Sequence, residues 1–92
     1  MKCHLSVIVC VYNEENNIAP LVGQLEAALE GFDYEIVYVD DGSRDGTLSE
    51  LKKIANPRLR IVEFRRNYGQ SAALAAGIEY AQGEWIVTMD GD

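Results

Sequence analysis

Ninety-two residues with fifteen acidic and eight basic side chains carry a formal charge of −7, which excludes a general affinity for nucleic acid or an anionic membrane surface. The length allows one domain at most, and an apolar content of 48% is ordinary for a globular chain. Cys3 and Cys10 are the only cysteines, no CxxC or HExxH spacing occurs, and no signal-like segment opens the chain, so a reducing, cytoplasmic setting is expected.

The first predicted element is a strand over residues 5–12 (LSVIVCVY), short, β-branched and apolar on both faces. The turn after it, Tyr12-Asn13-Glu14-Glu15-Asn16-Asn17, contains no glycine. The GxGxxG fingerprint of dinucleotide binding and any Walker-type GK[ST] are therefore missing. Tyr12 instead offers an aromatic face, and Asn13 and Glu14 offer acceptors suited to a base or ribose. On spacing alone, Asn13 serves equally as a helix cap with the acids complementing the helix dipole. Ile18, Leu21, Val22, Leu25, Ala28 and Leu29 then recur at helical spacing, with Pro20 in the first turn and Gly31 as a stop.

A second strand over residues 34–40 (YEIVYVD) ends in Asp40-Asp41-Gly42-Ser43-Arg44-Asp45-Gly46-Thr47. Two consecutive carboxylates at the top of a buried strand repel each other and need hydrogen bonds or partners. One acid can cap the next helix while the other reads a ligand, although a bare DDGS is also a common turn composition. The helix expected over residues 46–55, capped by Ser43 or Asp45, places Leu48 and Leu51 inward and stops before Pro57.

The third strand, over residues 59–64 (LRIVEF), leads into Arg65-Arg66-Asn67-Tyr68-Gly69-Gln70. Guanidiniums at a strand's carboxyl end, followed by a helix amino terminus, suit phosphate oxygens; neutralising the neighbouring acids is the competing role. Ala72, Ala73, Ala75, Ala76 and Gly77 make the helix over residues 70–82 thin enough to sit very close to a sheet, with Gly83 as its end. The fourth strand, over residues 85–90 (WIVTMD), delivers Asp90 and Asp92 at its carboxyl end, and one or two carboxylates are what a hard divalent cation carrying a phosphorylated ligand requires.

The order βαβαβαβ with right-handed crossovers predicts an α/β, Rossmann-like, doubly wound parallel sheet in strand order 3-2-1-4. All the loop motifs then face one crevice at the carboxyl ends of the strands. Fold alone does not give function, so the loop chemistry has to carry it.

Val11-Tyr12-Asn13-Glu14, Val39-Asp40-Asp41-Gly42-Ser43-Arg44-Asp45-Gly46-Thr47, the run from Arg66 to Ile78 (RNYGQSAALAAGI) and Asp90-Gly91-Asp92 stand in the order and spacing of one known pattern. In that conjunction, covering essentially the whole chain, the sequence resembles a glycosyltransferase of family 2 with the GT-A fold. The RNYG to AGI segment is most similar to the polyprenyl-phosphate and dolichyl-phosphate sugar transferase branch.

The resemblance implies an inverting enzyme that moves a sugar from a nucleotide-diphosphate sugar to an acceptor, a polyprenyl phosphate in that branch. It implies that Tyr12 and Glu14 lie by the base and ribose, that Asp41 reads a base N–H, and that Arg66 approaches the nucleotide. Asp90 and Asp92 would bind the diphosphate and its Mg²⁺ or Mn²⁺. Many relatives carry proline where Cys10 stands, which unsettles the base contact at that position.

Residues 1–92 would then be the nucleotide-sugar-binding half of a GT-A domain, interrupted after DxD. The catalytic base and acceptor loops are expected beyond Asp92, no catalytic residue within the chain, and the full-length parent at the cytoplasmic face of a membrane. The competing reading is a non-catalytic nucleotide-binding fragment that self-associates through the exposed edge of its fourth strand.

Overall fold

The computed structural model describes residues 4–91. β1 (Leu5–Val11), α1 (Ile18–Ala28), β2 (Tyr34–Asp40), α2 (Thr47–Lys52), β3 (Leu59–Glu63), α3 (Gln70–Tyr80) and β4 (Trp85–Asp90) alternate along the chain, with a 3-10 turn over Glu15–Asn17 ahead of α1. The strands form one sheet in the order β3-β2-β1-β4 with every pairing parallel, as the sequence predicts.

β1 and β2 are central, and their period-2 alternation feeds two cores. Val7, Val9 and Val11 share one face with Ile36 and Tyr38, because the register sets Val7 beside Ile36 and Val9 beside Tyr38. That face is covered by Ile18, Val22 and Leu29 of the α1 segment and Leu51 of α2. Ile8, Val37 and Val39 face the other way and meet Ala73 of α3. Helices therefore cover both faces, which is why the middles of these strands are apolar on both sides.

α3 lies close because it is thin: a Cβ built on Gly77 would stand 2.4 Å from Ile8 Cγ2 and 3.2 Å from Val39 Cγ2. Its extent is shorter than expected. It ends at Tyr80, and Ala81 is already extended (φ −65, ψ 138). Gly83 serves another purpose, since a Cβ there would lie 2.6 Å from Ser6 Oγ and 2.7 Å from the Ser6 nitrogen. α2 is also short, because Lys53 N–H bonds Glu50 O and Ile54 N–H bonds Leu51 O, a tightened i to i−3 closure that ends the helix well before Pro57.

β4 differs from the central strands: Trp85, Ile86 and Val87 are 64%, 44% and 49% exposed. β4 is the sheet edge beside β1, and the described helices pack on β1 and β2 instead.

A buried network ties the opposite, amino-terminal end of the sheet. Glu35 accepts hydrogen bonds from Ser6 Oγ (2.6 Å), the Gln82 N–H (2.6 Å) and Arg60 Nη1 (2.8 Å), while the Gly83 N–H donates to Ser6 Oγ (2.8 Å). Burial pushes the Glu35 carboxyl up, but these hydrogen bonds and the Arg60 charge outweigh it and hold the group below its ordinary value.

Candidate functional site

The four loop motifs meet at the carboxyl ends of the strands and are sewn together by side chain to backbone hydrogen bonds. Asn13 adopts φ +54, a left-handed conformation that asparagine tolerates better than most residues. It does not cap α1. Its N–H donates to Ser43 Oγ (2.8 Å) and its Oδ1 accepts from the Arg44 N–H (2.8 Å), clipping the first loop to the second. Glu14 N–H to Thr47 Oγ1 (2.8 Å) and Glu15 N–H to Asp45 Oδ2 (3.3 Å) extend that seam. Neither residue considered for the α2 cap takes that position: the N-cap is Gly46, and Asp45, one residue before it, accepts the Thr47 N–H on Oδ1 at 2.9 Å.

The adjacent carboxylates of the second loop find separate partners. Asp40, buried, accepts the Ser43 N–H at 3.1 Å and closes its own turn. Asp41, 5% exposed, reaches across to the loop between β3 and α3. Its Oδ1 accepts the Tyr68 N–H (2.8 Å), and its Oδ2 accepts the Gly69 N–H and Asn67 Nδ2 (both 3.1 Å). Gly42 makes that approach possible: at φ +72 its absent Cβ would lie 2.1 Å from the Arg66 carbonyl carbon.

β4 completes the rim. Gly91 N–H donates to Cys10 O (3.0 Å), and Asn17 Nδ2 donates to Gly91 O (2.6 Å), so the chain after Asp90 is tied to both the first strand and the first loop. Gln70, opening α3, donates from Nε2 to Asp90 Oδ1.

These elements form a cleft of about 370 Å³ lined by Tyr12, Glu14, Asp41, Asn67, Gln70 and Asp90, together with Cys10, Val11, Gly69 and Ala73. Of the residues singled out from sequence, Tyr12, Glu14, Asp41 and Asp90 line this one cleft. Arg66 does not. Its guanidinium lies over the Tyr68 ring at 5.1 Å, with Nε donating to the Tyr68 hydroxyl at 3.1 Å, one residue from Asn67, which does line the cleft. Asp92 lies outside the described residues.

Burial, reinforced by the charges of Asp90 and Asp41, pushes the Cys10 thiol above its ordinary value. A thiol so raised stays protonated at physiological pH and is unsuited to act as a thiolate. Asn67 and Gln70 are the cleft residues that sequence reasoning left without a role. Their proximity to the RNYG motif was the available signal.

A divalent cation is implied by the DxD pattern. Among the described residues no three His, Cys, Asp or Glu side chains converge into a ready cage. The single Asp90 carboxylate opening on the cleft nevertheless fits Mg²⁺ or Mn²⁺, hard ions held by one or two carboxylates with ligand phosphates and water completing the shell.

Comparison with known proteins accords with this geometry. The family model described as Glycosyl transferase family 2 matches residues 6–92. The chain is 46% identical to a dodecaprenyl-phosphate galacturonate synthase of Rhizobium johnstonii, covering 96% of this chain and 28% of that protein. It is 42% identical to an undecaprenyl-phosphate 4-deoxy-4-formamido-L-arabinose transferase of Pseudomonas fluorescens, covering 96% and 27%. Among solved structures, a mannosyltransferase of Pyrobaculum calidifontis in complex with GDP-Man and Mn²⁺ superposes with a TM-score of 0.85 at 30% identity, covering 100% of this chain and 28% of that one. The chain thus spans under a third of the length of the relatives it matches.

Proposed function

The chain belongs to glycosyl transferase family 2, and from that premise we propose that residues 1–92 form the nucleotide-sugar-binding half of an inverting glycosyltransferase whose acceptor is a polyprenyl phosphate. The observation that carries this reading is that Tyr12, Glu14, Asp41 and Asp90 line one cleft. The relatives named for dodecaprenyl- and undecaprenyl-phosphate products support the acceptor class.

In this assignment Tyr12 supplies an aromatic face for the base. Glu14 and the remaining lone pair of Asp41 Oδ1 accept hydrogen bonds from ribose hydroxyl and base N–H. Arg66 contributes positive charge on the nucleotide side, from its seat on Tyr68. Asp90, with Asp92, holds the diphosphate through Mg²⁺ or Mn²⁺. A cation so bound neutralises charge on the departing nucleoside diphosphate as a Lewis acid. The acceptor loops and catalytic base are assigned to sequence beyond Asp92, so no residue of this chain is proposed to touch the acceptor oxygen. No described helix is long and apolar enough to cross a membrane. The site is proposed to work in the cytoplasm at a membrane face, where polyprenyl phosphates are found.

The test is transfer of radiolabelled sugar from a nucleoside-diphosphate sugar to polyprenyl phosphate by the full-length protein, across Mg²⁺ and Mn²⁺. Metal-dependent transfer abolished by Asp90→Asn supports the reading, and metal-independent nucleotide binding overturns the role of Asp90 and Asp92. The exposure of Trp85, Ile86 and Val87 favours a second reading, a non-catalytic piece that self-associates through β4. Sedimentation that remains monomeric over a hundredfold concentration range would exclude it.

A further inference from the structure

The Asp90 backbone and the Asp90 side chain are restrained by different means. The backbone is fixed by the parallel register with Cys10, by the Gly91 N–H to Cys10 O bond, and by Asn17 Nδ2 on Gly91 O. Gly91 is packed so closely that a Cβ there would lie 2.2 Å from Val11 Cγ1. The side chain stands exposed at the end of an edge strand. The one hydrogen bond to its carboxylate given by the described residues comes from Gln70 Nε2 to Oδ1.

Gln70 in turn is the first residue of α3. The residue before it, Gly69 (φ 101), donates its N–H to Asp41 Oδ2. A continuous path therefore runs from Asp41, through the backbone of Gly69 and Gln70, to Asp90.

We propose that Gln70 is a positioning residue for the metal and diphosphate end of the cleft: its side-chain amide occupies Asp90 Oδ1 and turns Oδ2 toward the bound cation. This rests on the reading of Asp90 as a cation ligand. A carboxylate with both oxygens free rotates about χ2 and is attracted to any passing donor. With Oδ1 engaged by an amide it presents one oxygen in a fixed direction, as second-sphere hydrogen bonds do at other metal carboxylates. An amide is the suitable donor here. A lysine or arginine at the same place would compete with the cation by charge, and a glutamate would repel Asp90 when the cation is absent.

The experiment measures nucleoside diphosphate affinity by calorimetry with and without Mn²⁺ in the full chain, for wild type, Gln70→Leu, Gln70→Asn and Asp90→Asn. The factor by which Mn²⁺ tightens nucleotide binding is the readout. Loss of an outer hydrogen-bond partner at a metal ligand weakens affinity about 10–100-fold, so Gln70→Leu should lose about tenfold of the Mn²⁺ enhancement, read as the ratio of nucleotide affinities with and without Mn²⁺ within that one variant. Gln70→Asn, one methylene too short to reach, should behave alike.

Wild type should also show a Gln70 side-chain amide proton shifted downfield in 15N-resolved NMR, a signature that Asp90→Ala, which has no acceptor there, removes. Gln70 is exposed, so its replacement does not threaten folding. Full Mn²⁺ enhancement in Gln70→Leu, together with its loss in Asp90→Asn, would overturn the proposal while the Asp90 assignment stands. Full enhancement in Asp90→Asn would overturn that assignment instead.

Discussion

Asp41→Asn is the perturbation that separates a loop-holding carboxylate from a mere turn residue. Asp41 accepts three hydrogen bonds, two on Oδ2 and one on Oδ1, all from residues 67–69. An asparagine of the same shape keeps one accepting oxygen and turns an NH₂ toward the remaining donors. Whichever way the amide faces, at least one charge-assisted hydrogen bond is lost and donors are set against donors. Hydrogen bonds to charged groups contribute about 1.5–3 kcal/mol each. Water can reach Asn67 and Tyr68, which are exposed, so part of that loss is recovered.

The expected net destabilisation is about 2–3 kcal/mol, a large share of the roughly 5–15 kcal/mol that holds a typical domain folded. For a domain of this size it corresponds to a fall in Tm of about 10–20 °C. Urea and thermal unfolding followed by circular dichroism measure it, with Glu50→Gln as control, because among the described residues the Glu50 carboxylate pairs with the exposed Lys53 at 2.7 Å, an exposed pair of small energetic weight. Amide resonances of residues 67–70 should move in Asp41→Asn, and nucleoside diphosphate binding should weaken more than in the control. A Tm within about 2 °C of wild type, with those resonances in place, would refute the reasoning.

Gly77→Ala should destabilise despite the roughly 1 kcal/mol that alanine gains in a helix interior. The new Cβ meets the fully buried Ile8 at 2.4 Å, and overpacking of that kind costs about 1–3 kcal/mol; a more stable variant by urea titration would contradict the packing. Tyr38 is fully buried, and its hydroxyl is without a hydrogen-bond partner among the described residues, while burial pushes its pKa up to about 12. Tyr38→Phe therefore discards a desolvated group at no loss of bonding and should be neutral to stabilising, which calorimetric unfolding would check. Glu35 is held below its ordinary value of 4.5, so its contribution is complete above that pH and is lost as pH falls through the depressed value. Glu35→Gln should be less stable at neutral pH and should flatten the acid limb of the stability profile below about pH 4.5; an unchanged acid limb would show that the network does not act through the Glu35 charge.

What the sequence determined by itself was everything carried by local pattern. Period-2 and period-3.6 runs placed the strands and helices, and their alternation with the handedness of crossovers gave a parallel sheet ordered β3-β2-β1-β4. The same order put the YNE, DDGS, RNYG and DGD motifs at one end of the sheet, and the small residues of α3 announced its close approach.

Tertiary structure alone decided which polar groups meet. Asp41 lies 27 residues from Tyr68, Asn17 lies 74 from Gly91, and Gln70 lies 20 from Asp90. No periodicity marks such pairs, because they follow from strand register and from how far each helix stands off the sheet. The same geometry left Arg66 on the Tyr68 ring and not lining the cleft, gave Asn13 to the second loop and not to a helix cap, and left β4 uncovered. A side chain's chemistry is written in its residue type, but its partner is set by rigid-body distances of a few ångströms that no stretch of neighbouring residues encodes.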